Sequence, residues 1–357
     1  MWNGQFKGTE SDLVSWAVKA LGERLPPAWK VKELRREVRR ENKRADAVVR
    51  VVDPDGKSVD VVIEAKRWIE PIDVPGIVDR LLRNERGEAV LVVASFLSPR
   101  TRERLKQEQV SFADATGNMR LVLRKPGLFI ETPGADRDPQ PPATRALASL
   151  KGRAAGRVVR ALCDFKPPYG IRELADRSLT SLASVARVVA LLEREAIVVR
   201  NKNKAVTDSD PDALIRRWTQ DYSLLKSNSA RTFLEPRDLK SLLAKLGNMR
   251  AKYAVTGSLA AGIRTAALPG RLAVVFVDEV AAAASFLGLR SAEAGANVFL
   301  VRPFDPVVYE RCSESDGVNF AAPSQTAADL LTSPGRGPAD GEDLLVWMKE
   351  NRDAWRV

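Results

Sequence analysis

Residues 45–66 constrain the fold most. Residues 45–52 read Ala-Asp-Ala-Val-Val-Arg-Val-Val, residues 59–66 read Val-Asp-Val-Val-Ile-Glu-Ala-Lys, and Asp53-Pro54-Asp55-Gly56 lies between them. Runs rich in β-branched residues predict strands. Proline fixes φ and glycine accepts a positive φ, so the tetrad predicts a turn that folds one strand back on the other. Asp46 then comes to lie opposite the Glu64 end. Alternate residues of a strand share a face, so Glu64 and Lys66 point the same way. Two carboxylates and an ammonium group converge, a set suited to a hard divalent cation, Mg²⁺ or Mn²⁺, held by Asp46 and Glu64. Lys66 would orient a water or neutralise developing charge. The plainer reading is an ordinary ion pair at a solvated strand end.

The context repeats a recognisable order. A helix is predicted at 11–23, and after the two strands come a helix at 74–84 and a strand at 89–94, giving β-β-α-β. With Asp46 followed by Glu64-Ala65-Lys66, the segment resembles the PD-(D/E)xK restriction-endonuclease-like superfamily. The resemblance implies a metal-dependent phosphodiester-cleaving centre of Asp46, Glu64 and Lys66, with Glu10 as the additional acid that many members carry. Residues 32–44 mix charges with Leu34 and Val38 at helical spacing, and read equally as an exposed helix or a strand edge with a secondary role in DNA contact.

Charge indicates the partner. Lys and Arg number 57 against 46 Asp and Glu, a net charge of +11, which attracts polyanions and makes nucleic acid the expected ligand. The chain has no histidine, which excludes Ser-His-Asp and Cys-His catalysis and histidine-ligated zinc but leaves carboxylate-metal chemistry open. Cys163 and Cys312 are far apart and lack CxxC spacing, so they are expected to be buried small hydrophobes. No long apolar run or signal peptide is legible, so a cytoplasmic, nucleoid-associated protein without membrane partners is expected.

The chain is expected to be α/β and multidomain: a restriction-endonuclease-like domain at 1–133, a proline-rich linker at 134–150, a winged helix-turn-helix at 151–210, a connecting helix at 211–228, and a nucleotidyltransferase-like domain at 229–357. The winged helix is read from helices at 153–164, 171–177 and 182–195, then strand, basic turn and strand over 197–207. In that geometry the third helix enters the major groove and the wing meets phosphate. Thr180, Ser181, Ser184 and Arg187 would face bases; Arg200, Lys202 and Lys204 would touch phosphate. The module could instead serve only packing or dimerisation, with Arg187 paired to Glu193 or Glu195.

In the last third, a strand at 253–256, the turn Gly257-Ser258 and an apolar strand at 272–277 ending in Asp278-Glu279 resemble a nucleotidyltransferase fold. Adjacent acids on a strand point to opposite faces, so a non-catalytic module is expected, with Asp278 as a strand-end cap. Segments 111–118, 126–130, 253–258 and 323–331, in that order around the winged helix and with a closing Trp-Met-Lys helix, are similar to actinobacterial members of the AbiEi-like antitoxin and regulator group. That resemblance implies a DNA-binding regulator, in some systems an autorepressing antitoxin with a nucleotidyltransferase toxin encoded nearby. The leading expectation is therefore a sequence-specific duplex-DNA-binding regulator, possible as a homodimer on palindromic sites. The alternative is a Mg²⁺-dependent DNA endonuclease targeted by the winged helix.

Overall fold

The computed structural model describes residues 8–40, 43–82, 89–140, 149–265 and 270–357, with backbone alone at 37–40, 43–45 and 82. It divides into two compact units, Met1–Arg145 with Arg194–Ala196, and Ala146–Glu193 with Ile197–Val357.

The first unit is a seven-stranded sheet. Helix α1 (Glu10–Arg24) precedes strands β1 (Lys30–Arg40), β2 (Lys43–Val52) and β3 (Ser58–Lys66); α2 (Val74–Leu82), β4 (Ala89–Ala94), α3 (Pro99–Gln107), β5 (Ser111–Asp114), β6 (Met119–Leu123) and β7 (Leu128–Thr132) follow. The strands lie in sequence order; β3, β4 and β5 are parallel and the flanking pairs antiparallel. A parallel pair needs a crossover, and α2 and α3 supply them. The predicted β-β-α-β order is present, with residues 83–84 of the expected helix outside the described residues.

Helix α1 starts at a capping box in which Thr9 and Asp12 satisfy each other's backbone donors. It buries Leu13, Ala17, Ala20 and Leu21, at helical spacing, against Val49, Val61, Ile63 and Leu91. The opposite sheet face carries Val92 and Phe112 under Ile77, Val78, Leu81 and Leu105 of α2 and α3. Each buried Val, Leu, Ile or Phe among them contributes roughly 1.5–3 kcal/mol. Residues 61–65 of β3 are consequently buried on both faces. Residues 30–40 are strand, which resolves the ambiguity over 32–40; residues 41–42 lie outside the described residues. Strand β1 closes one edge of the sheet, where Lys and Arg blunt strand addition.

Asp114, fully buried at the end of β5, ties down the β5–β6 turn. It accepts five hydrogen bonds, from the Leu97, Thr116 and Asn118 amides and the Thr116 and Asn118 side chains. Gly117-Asn118 thus belongs to a hairpin turn.

The second unit begins with α4 (Arg153–Asp164), α5 (Ile171–Ser178), α6 (Leu182–Arg194) and the two-stranded sheet of β8 (Val198–Arg200) and β9 (Val206–Ser209). The expected single helix over 211–228 is two, α7 (Pro211–Thr219) and α8 (Leu224–Ser227), because α7 ends at its C-cap Gln220 and the chain turns before Leu224. Next come β10 (Ser229–Leu234), α9 (Leu239–Gly247), β11 (Tyr253–Thr256), α10 (Ser258–Gly262), β12 (Ala273–Val277), α11 (Val280–Leu287), β13 (Arg290–Ser291) and β14 (Val298–Arg302). The chain closes with β15 (Ser313–Ser315), β16 (Val318–Phe320), α12 (Pro323–Leu331), α13 (Gly337–Glu350) and α14 (Arg352–Trp355). The sheet order is β13-β10-β14-β12-β11-β16-β15.

Helix α12 is buried almost throughout, and Asp329 on it organises the junction. Asp329 accepts from Tyr222 Oη at 2.6 Å, Thr256 Oγ1 at 2.7 Å and Gln325 Nε2 at 2.9 Å. Burial pushes its carboxyl up to about 6, against these three bonds. A raised folded-state value means that this group's contribution to stability is present below the ordinary aspartate value of about 3.9 and is lost as pH rises through about 6. Asp329→Ala is expected to leave buried donors unpaired, lowering stability by about 2–4 kcal/mol, and to remove that pH dependence. Urea unfolding at several pH values tests this; a loss below about 0.5 kcal/mol contradicts it.

Candidate functional site

The register of β2 on β3 assembles the site. Ala47 pairs with Ile63 and Val48 with Val62, so continuing the ladder places Asp46 against Glu64. Ala47 and Ile63 both pack toward α1. Asp46 and Glu64, one step further along, therefore face the other side, under α2 and α3. Asp46 is fixed there because its Oδ2 accepts the Ala65 amide at 2.8 Å.

Glu64 is 5% exposed, which contradicts the reading of a solvated strand end. Two cations meet it: Lys66 Nζ at 3.5 Å from Oε1 and Arg80 Nη1 at 3.6 Å from the same oxygen. Its carboxyl is nevertheless pushed above the ordinary range. Burial is the main cause, and the Asp46 charge adds to it, while Lys66 and Arg80 oppose both. The sheet thus sets Glu64 beside a second acid in a place that disfavours the charge on Glu64.

Oxygen donors in a half-dehydrated pair suit Mg²⁺, which keeps several waters and takes one or two protein carboxylates, leaving positions for substrate phosphate. Asp46 and Glu64 would hold it. Among the described residues, no cluster of three or more Asp, Glu, His or Cys suited to a metal is present. Glu10 is exposed in the first turn of α1, and none of the described contacts joins it to Asp46 or Glu64. Arg80 was not legible in the sequence as part of the site. The signal available was its place on the helix that crosses from β3 to β4.

In the second unit, Ser181 caps α6, its hydroxyl accepting the Ser184 amide at 3.2 Å and donating to Ser184 Oγ at 2.9 Å. Thr180 pairs with Ser178 at 2.8 Å. Arg187 is exposed and bonds its own helix at the Ala183 carbonyl, 3.2 Å away, rather than Glu193 or Glu195. Glu193 instead takes Arg200, which is thereby partly withdrawn from the surface. Lys202 and Lys204 are exposed on the β8–β9 turn.

In the remaining sheet, Asp278 accepts from Tyr309 Oη at 2.8 Å, and the neighbouring Glu279 is exposed at the start of α11. Ser258 Oγ donates to Asp340 Oδ2 at 2.6 Å, so the Gly257-Ser258 turn is bound to α13. Gly257 sits at φ 72°, a conformation side chains resist. Cys163 is buried and Cys312 half-buried, both as thiols.

No protein-family model matches the chain, and a comparison with curated proteins found no match. Among solved structures, the chain is similar to a crystal structure of a repair endonuclease from Pyrococcus abyssi, at 24% identity over 31% of this chain and 48% of that one, with a TM-score of 0.22. It is similar also to the structure of EndoMS in apo form, at 21% identity over 31% of this chain and 47% of that one, again with a TM-score of 0.22. The chain spans about half the length of these two structures, and likenesses of this size carry no argument about its activity.

Because Glu64 is held where its charge is disfavoured, its contribution to stability is present below the unfolded glutamate value and is lost as pH rises through the raised folded value. In chelator and at neutral pH, Glu64→Gln is expected to melt roughly 2–4 °C above wild type, the difference vanishing below about pH 4. A lower melting temperature at neutral pH would show that Lys66 and Arg80 outweigh the burial.

Proposed function

We propose that the chain is a divalent-metal-dependent deoxyribonuclease that engages duplex DNA through its winged helix. The observation that carries this reading is the buried Glu64, set beside Asp46 and against Lys66 and Arg80, where a structural ion pair has little to gain. Burying a carboxylate beside a second one costs stability, and such costs concentrate at reactive sites.

A bound Mg²⁺ or Mn²⁺ supplies Lewis acidity and an acidified water at neutral pH. The residues do the rest. Asp46, locked by the Ala65 amide, presents its second oxygen in a fixed direction. Glu64 offers the facing carboxylate, kept in place by two cations. Lys66, about one-third exposed, reaches solvent from the same strand face and is placed to orient the attacking water. Arg80, 60% exposed, has room to leave Glu64 for a phosphate oxygen as negative charge builds there.

The net charge of +11 and the exposed Lys202 and Lys204 support binding to the DNA backbone, and the exposed Arg187 would face bases. That wing also favours a second reading, in which the protein is a DNA-binding regulator and the carboxylate pair cleaves nothing. An antitoxin-like role beside a nucleotidyltransferase toxin, and a homodimer on palindromic sites, belong to that reading and rest on the sequence resemblance.

Supercoiled plasmid incubated with Mg²⁺ or Mn²⁺ is expected to be nicked or linearised, and Asp46→Asn, Glu64→Gln and Lys66→Ala are expected to slow this by about 100-fold or more. Equal background from wild type and Glu64→Gln contradicts cleavage and leaves the regulator reading. The combined Arg187→Ala and Lys202→Ala change is expected to weaken duplex binding and to flatten the dependence of log affinity on log salt by about 0.9 per lost phosphate contact. Unchanged gel-shift affinity would exclude the winged helix as the DNA-binding surface.

A further inference from the structure

Within the second unit, a hollow of about 110 Å³ opens where α4, the α5–α6 turn and residues 306–311 meet. One water needs about 10–15 Å³ by this measure, so the space takes a small molecule. Four arginines line it, Arg157, Arg160, Arg177 and Arg311, with Asp164 and Glu310, and Arg157 is also paired to Asp305 at 2.9 Å.

Asp164 is already neutralised, since Arg160 Nη2 donates to it at 3.0 Å and Ser324 Oγ at 2.5 Å. Arg160 is 1% exposed and immobilised by further bonds to the Val307 and Glu310 carbonyls and to Gln325 Oε1, while its Nε is buried without a partner. Arg177 is ion-paired with Glu173 one turn away on α5, and Arg311 is the less committed of the two. Their guanidinium carbons lie 4.6 and 5.0 Å from the centre of the Phe165 ring, so two like charges share one aromatic side chain. Arg311 meets Asp164 only at 4.0 Å, and its bond to the Trp355 carbonyl is 3.5 Å long.

The apolar part of the wall includes Leu179, 70% exposed, and Pro306. Leu179 and Arg311 both hold left-handed backbone, at φ 49° and 59°, a conformation that costs a non-glycine residue energy and recurs at ligand sites.

We propose that this hollow binds a small organic anion, an oxyanion on a compact apolar body. The oxyanion would lie on Arg311, the more loosely held of the arginines, beside Arg177, and the body would lie against Leu179 and Pro306. Arg157 Nη1 donates to the Leu179 carbonyl at 3.1 Å, and the chain runs from Leu179 directly into Thr180, Ser181 and α6. Occupancy therefore stiffens the turn that presents α6. The consequence for DNA rests on the winged-helix reading above; the binding itself does not.

The test is a thermal melt of the full chain with benzoate, phenyl phosphate or inorganic phosphate. At saturation, benzoate or phenyl phosphate is expected to raise the melting temperature of the second unit by about 5 °C, and which of them acts identifies the oxyanion. Glu64→Gln should retain the shift. Arg177→Gln and Arg311→Gln, each folded with a melt of its own near wild type, should lose it. No shift in wild type, an equal shift in both arginine variants, or the whole shift from inorganic phosphate alone overturns the proposal. Duplex affinity measured with the active probe should rise several-fold; a melting shift with unchanged affinity retains the site and overturns its coupling to α6.

Discussion

The candidate centre depends on the register between β2 and β3. Side chains alternate with a period of two, so a slip of one residue would send Asp46 to the α1 face and separate it from Glu64. Three features hold the register. The Asp53–Gly56 turn fixes the loop length, and Val49, Val51, Val61 and Ile63 are buried on the α1 side. Arg50 and Asp60, directly opposed, form a two-pronged pair at 2.7 and 3.0 Å. Such an exposed pair contributes at most about 1 kcal/mol, so hydrophobic alternation carries most of the specification.

Once that register is set, the electrostatics follow from burial. The parallel pairing of β3 with β4 brings α2 across the sheet, and α2 both removes water from Glu64 and supplies Arg80. The same element raises the cost of the charge and provides part of its compensation. A site of this kind trades stability for a fixed, reactive arrangement, which is the usual balance where function needs one.

Much of this was readable from residue order. Alternation over 45–66 and the Asp-Pro-Asp-Gly turn give Asp46, Glu64 and Lys66 their common face, because a strand's period is short and local. What was not readable lies in tertiary contact. No local pattern tells which face of β3 a helix covers, so neither the burial of Glu64 nor the approach of Arg80 was legible. Residues 32–40 stayed ambiguous because Leu34 and Val38 fall at helical spacing on what is a charged edge strand. Over residues 153–209, spacing gave the three helices and two strands, but a basic residue in sequence says nothing of its partner; Arg200 is held by Glu193, and Arg187 by its own helix. The buried network around Asp329 joins residues from 222 to 329, too far apart for any motif to show.

The central claim is that Asp46 and Glu64 form one divalent-cation site, and metal location tests it most directly. Crystals soaked in Mn²⁺ should show an anomalous scattering peak between the two carboxylates in wild type and none in Glu64→Gln. A peak elsewhere, or no peak with Glu64 still paired only to Lys66 and Arg80, would contradict the account.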